Sequence, residues 1–218
     1  LAATRLDLPL WTAIIVMVAL LLYPAARKWR LDRQRLGTPA MVLSMLVATQ
    51  AFHTVEHVAQ WVQYHVLGWP LKASSGLISP LNAEIVHFSW NVSVLLVVLY
   101  LIEAGVRNHW MWLLLVWATA HTFEHTYLFI NYVQELQQLR SAGLPLTAAQ
   151  GLPGILGQGG WLASNNGTSA PITWLCAVTP GLASAPRLDI HFWWNAGEIA
   201  LLLPAAHVGM WNIARTRP

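Results

Sequence analysis

Five mostly apolar stretches, roughly 8–26, 40–65, 82–104, 109–134 and 188–210, divide this chain, and each is about as long as a bilayer-spanning helix requires. Of the 218 residues 56% are hydrophobic and only 10% are charged, a balance too apolar for an ordinary soluble domain. The expected fold class is therefore an all-α integral membrane protein of five transmembrane helices. The first stretch lacks a basic run before it and has one after it, so it reads as a span and not as a removable signal.

The basic residues give an orientation. Arg27, Lys28, Arg30, Arg33 and Arg35 crowd the first connection, Arg107 lies in the third, and Arg215 and Arg217 close the chain. The other connections carry Arg5, Lys72, Arg140 and Arg187. Under the positive-inside rule the N-terminus is expected outside and the C-terminus in the cytoplasm of a bacterial-type plasma membrane. Because these cations flank apolar spans, the expected partners are the lipid bilayer and other membrane subunits, with no role for nucleic acid. One cysteine, Cys176, excludes an internal disulfide, and without a CxxCH motif haem cannot be attached in the c-type manner.

An internal repeat organises the rest. Residues 53–57 read HTVEH and residues 121–125 read HTFEH; VHFSWN at 86–91 is matched by IHFWWN at 190–195. The chain then divides into a leading helix with a basic loop (1–37), unit A (38–106) and unit B (107–218), the last with a long outer loop near 140–187. Each unit holds two spans, so the copies share one orientation, and the last four helices are expected to form a pseudo-twofold (2+2) bundle about an axis along the membrane normal. At about 1.5 Å per residue, His53 falls roughly 10 Å below the outer surface of the apolar core, and His87 comes to a similar depth from the opposite end of the next span.

Residues three and four apart share a helical face, so His53, Glu56 and His57 project together, as do His121, Glu124 and His125. The partner helices add His87 with Asn91 and His191 with Asn195. Ionisable groups inside a membrane are costly unless paired or coordinated, and simple interhelical bonding needs no such duplicated stoichiometry. Imidazole suits copper, zinc or iron, and a carboxylate can bridge ions, ligate one, or orient an imidazole. The expected metal ligands are His53, Glu56, His57, His87, His121, Glu124, His125 and His191, holding one or two ions, copper or zinc before iron, with Asn91 and Asn195 behind them.

Other residues have weaker claims. Trp90 and Trp194 precede the asparagines and read mainly as packing; His65, His109 and His207 lie outside the repeat. Glu84 stands three residues before His87 in a Glu-x-x-His spacing, but unit B has Leu188 at that offset and Asp189 one place later. Glu198, with Val94 in its place in unit A, is an acidic residue deep enough for a proton relay. The outer loop, with GLPGILGQGG at 151–160 and NNGT at 165–168, is too glycine-rich for regular helix, yet its apolar residues Ile155, Leu156, Trp161 and Trp174 favour an ordered cover.

Three functions compete on this reading. A membrane metalloprotein doing oxidase- or hydroxylase-type redox chemistry, alone or as a subunit, comes first. A haem- or pigment-binding subunit is the second, and a metal carrier or accessory protein the third. A conduction pathway is disfavoured, because segments such as MVLSMLVATQ and SVLLVVLYLI are almost wholly apolar.

Overall fold

A computed structural model describes residues 10–78, 83–149 and 151–215. Residues 8 and 9 of the first expected stretch, residue 82 of the third, Gln150 of the long loop, Arg5 and Arg217 lie outside the described residues. The described chain is all-helical, with no strand. Its long helices are α1 (Leu10–Leu36), α2 (Thr38–His65), α3 (Glu84–Glu103), α4 (His109–Ser141) and α8 (Arg187–Arg215), with the short α5 (Trp161–Ser164), α6 (Ala170–Val178) and α7 (Gly181–Ser184) between α4 and α8.

Each expected stretch coincides with one long helix, but two details differ. The basic residues placed in a first connection belong to the last turns of α1, which runs unbroken to Leu36. Only Gly37 separates it from α2, where Pro39 in the first turn lacks the N–H that a continuing helix needs. The loop near 140–187 contains α5, α6, α7 and a 3₁₀ turn at Leu146–Ala149, because the glycines cluster in 151–160 and leave apolar runs such as APITWLCAV free to coil.

Two of the described helices, Trp11–Leu36 and Glu84–Glu103, are long and apolar enough to cross a bilayer. In α2, α4 and α8 the histidines, glutamates and amides that face inward dilute the mean hydropathy, so these helices fall short of that test by composition and not by length.

The bundle is divided along its axis. At the end where α3 finishes and α4 begins, Leu43, Leu46, Val98, Leu101, Met111, Leu114 and Leu202 form a dry core. At the other end the interior is polar: Gln50, His57, His87, Asn91, His121, His125, His191 and Asn195 are all buried. Outward faces are apolar instead, with Val116 at 69% and Phe123 at 65% exposure. The closest helix pairs are α2 with α8 and α3 with α4, each joining a helix of one half to a helix of the other. Asn108 caps α4 by accepting from the Met111 amide at 3.0 Å, and its Nδ2 donates to Ala205 O at 3.1 Å, tying the start of α4 to α8. Near the end of α1, Asp32 takes a 2.5 Å contact from Lys28 and a 2.7 Å hydrogen bond from Ser44, which docks α1 on α2.

Candidate metal centre

Helix α2 delivers His53 and His57 on successive turns, and their Nε2 atoms lie 3.3 Å apart. Nitrogens about 2.0–2.1 Å from a tetrahedral ion stand roughly 3.3 Å from each other, so this pair already has the separation of two ligands. His87 reaches the same point from α3, and the possible ligand atoms of His53, His57 and His87 all lie within 4.8 Å of one another.

The other half adds its own imidazoles. The rings of His121 and His125 are 4.9 Å apart, and His125 and His191 are 5.0 Å apart and stacked. Across the middle, His87 stacks on His125 at 5.5 Å, His57 faces His191 at 6.1 Å, and His87 and His191 are 5.9 Å apart. All six repeat histidines thus form one contiguous layer. His65 is not part of it; at the end of α2 it pairs with Asp189 at 2.7 Å.

A buried imidazole nitrogen without a hydrogen-bond partner carries a desolvation cost that ligation removes. Among the described residues, His57 Nδ1, His121 Nε2, both nitrogens of His125, and His191 Nε2 are buried and unpartnered. Three helices, α2, α4 and α8, therefore carry bare imidazole nitrogens in this layer. The donor set, neutral imidazole with nearby carboxylate, fits copper, zinc or iron.

The two motif glutamates point outward from this layer and hold the loops above it. Glu56 Oε2 accepts from the Leu77 amide at 2.7 Å and the Ile78 amide at 3.3 Å. Glu124 Oε1 accepts from Ile155 at 3.1 Å and Leu156 at 3.4 Å, and its Oε2 from Leu156 at 3.3 Å. Each loop approaches through a glycine. A Cβ on Gly76 or Gly154 would collide with the carboxylate of Glu56 or Glu124 respectively, and Gly76 also has φ +83°. Glu56 Oε1 stays buried without a partner.

Below the layer, Asn91 and Asn195 each donate to the carbonyl of the histidine one turn earlier, His87 and His191, at 2.9 Å. Trp90 lies 5.1 Å from His53, and Trp194 stacks on His121 at 5.2 Å, so both tryptophans wall the histidine layer as well as packing the bundle. Sequence reasoning missed Gln50, although its place three residues before His53 puts it on the same helical face. Gln50 is fully buried and joins Trp90, Asn195 and Glu198.

Glu84 is engaged elsewhere than at the centre: its Oε1 pairs with Arg187, whose Nη1 also donates to Leu152 O at 3.0 Å. This contact ties α3, α8 and the outer loop together. Removing one partner of a mostly buried pair strands the other charge. Glu84→Ala is expected to cost about 3 kcal/mol, read as a lowered melting midpoint in detergent, with the Glu84→Leu/Arg187→Leu double variant less destabilised than the single one.

No family model, curated protein or solved structure matches this chain.

Proposed function

We propose that the chain is an integral membrane metalloprotein of five spans, in which the six repeat histidines hold one or two transition-metal ions near the outer face. The observation that carries this is the layer in which the His53, His57 and His87 group of α2 and α3 adjoins buried, unpartnered imidazole nitrogens of α4 and α8. His53, His57 and His87 make one triad and His121, His125 and His191 the other. Matched ring pairs support the 2+2 arrangement: His53–His57 with His121–His125, and His53–Trp90 with His121–Trp194.

Membrane insertion is supported by the apolar outer faces of the bundle combined with a polar interior at one end, a distribution lipid favours and water does not. The basic end of α1 argues that this end is cytoplasmic, placing the histidine layer toward the outer leaflet.

Burial favours a resident cofactor over cargo. His57, His87, His121, His125 and His191 are buried beneath two loops, whereas a carrier needs ligands that a receiving protein can reach. His53, partly exposed, is the edge at which a substrate can approach. Copper, or less favourably iron, would supply one-electron chemistry here, and the activity we assign is that of an oxidoreductase or of a subunit of one. The chain's own contribution is to fix the imidazoles, keep water out with Trp90 and Trp194, and cover the layer with the loops held by Glu56 and Glu124. A haem or pigment needs a flat slot between its ligands, and here the space beside each stacked ring pair is filled by a further ring.

The test is metal content by mass spectrometry, with an optical spectrum, on detergent-purified protein and on a His53→Ala/His121→Ala double variant. Stoichiometric copper, iron or zinc that disappears in the variant is the expected result. A metal-free protein with a Soret or pigment band would replace this reading with cofactor binding of the second kind.

A further inference from the structure

The two halves of the histidine layer are alike in ligands but unlike in what stands behind them. In unit B, Glu198 Oε2 lies 3.1 Å from His121 Nδ1. In unit A the corresponding position is Val94, an apolar residue of the dry core.

A chain of hydrogen bonds fixes the roles of these groups. The indole N–H of Trp90 can only donate, and it lies 3.0 Å from Gln50 Oε1. That turns Gln50 Nε2 toward Glu198, where it donates to Oε2 at 3.0 Å. With Glu198 acting as a carboxylate, its Oε2 accepts from both Gln50 and His121, an arrangement that puts the imidazole N–H on Nδ1 and the lone pair on Nε2. His121 Nε2 is the buried nitrogen left without a partner. Trp194, parallel to the His121 ring within 7°, holds its plane.

Glu198 is itself 1% exposed, and its Oε1 has no partner. A buried carboxylate beside a metal-binding imidazole contributes charge as well as orientation: it makes the imidazole a stronger donor and offsets the positive charge of the ion. We propose that Glu198 is a positioning residue acting through His121, which makes metal binding on the His121 side of the layer chemically distinct from binding at the His53, His57 and His87 group. The inference rests on the metal reading above and adds that the two sides of the layer are unequal.

The experiment is a cobalt(II) titration of the chelator-stripped, detergent-purified full chain. It is followed by the visible ligand-field bands and by competition with a chromophoric chelator. Glu198→Gln keeps the shape and the hydrogen bond while removing the charge. It is expected to weaken cobalt held through His121 by about 10- to 100-fold, the usual effect of losing such a partner. Cobalt held by His53, His57 and His87 keeps its affinity and its spectrum, and so reports that the fold is intact; it is lost instead in His53→Ala. In a His121→Ala background Glu198→Gln changes nothing further, because its effect runs through that ring.

The same cobalt affinities and spectra in wild type and Glu198→Gln overturn the inference while leaving the metal centre standing. An additive effect in the His121→Ala background overturns it too, by showing that Glu198 acts on the fold at large. A wild-type chain that takes up no cobalt refutes the metal reading itself.

Discussion

Stripping the purified protein with a chelator is expected to lower its melting midpoint in detergent by about 10 °C, and adding back copper or zinc to restore it. A ligand that binds only the folded state stabilises it by about 4 kcal/mol when present at a thousand times its dissociation constant. For a chain of this length each kcal/mol corresponds to roughly 2–4 °C. The folded state offers one preassembled group that could hold an ion, with His53 and His57 Nε2 already 3.3 Å apart and His87 beside them, whereas an opened bundle scatters these residues over separate helices. In a His57→Ala/His125→Ala variant, which removes one central ligand from each half, the midpoint becomes indifferent to chelator. If the histidines served only to join helices, each contact would contribute about 0.6 kcal/mol and the wild-type midpoint would not respond to chelator at all. A wild-type response that survives in the double variant would place the metal elsewhere.

The parts of this centre that are written in local spacing were legible in the sequence, and the parts that depend on long-range contacts were not. HTVEH and HTFEH put two imidazoles and a carboxylate on one helical face by geometry alone, and the repeated HFxWN brought a third imidazole to the same depth. The long helices were legible for the same reason: their apolar runs are local. What the motif could not tell was which way its glutamate faces. Glu56 and Glu124 read as ligands because carboxylates beside histidines often are, yet in the fold their oxygens take amides from residues 77–78 and 155–156, contacts that no spacing rule anticipates. Glu84, already set aside for its imperfect match in unit B, pairs with Arg187, a contact that crosses from α3 to α8. Gln50 and Glu198 were hard to weigh because neither is duplicated; Ala118 and Val94 hold the equivalent positions, and a reading guided by the repeat discounts what departs from it.

The two motif glutamates meet similar loop segments, although the loops differ in length. Gly76-Leu77-Ile78 and Gly154-Ile155-Leu156 each present a glycine followed by two apolar residues whose amides bind the motif glutamate. The two latches should nonetheless respond differently to the loss of charge. Glu124 uses both oxygens, so a glutamine there must turn its NH₂ toward the Leu156 or Ile155 amide and set donor against donor. Glu56 uses only Oε2, so a glutamine at 56 can keep its carbonyl on Leu77 and Ile78 and direct its NH₂ to the unpartnered side. A hydrogen bond to a charged group contributes about 1.5–3 kcal/mol, so breaking the Glu124 latch is expected to speed amide exchange at residues 155 and 156 by roughly 10- to 100-fold. Glu56→Gln should change exchange at 77 and 78 by much less. Gly154→Ala drives a methyl group into the Glu124 carboxylate and should reproduce the Glu124→Gln effect without touching an ionisable residue. Hydrogen exchange by mass spectrometry reads all three. Equal protection of the 151–160 loop in wild type, Glu124→Gln and Gly154→Ala would mean that its contacts with α7 and the turn after it, Gly157 to Leu182 at 2.7 Å and Gln158 to Ala185 at 2.9 Å, hold the cover without the glutamate.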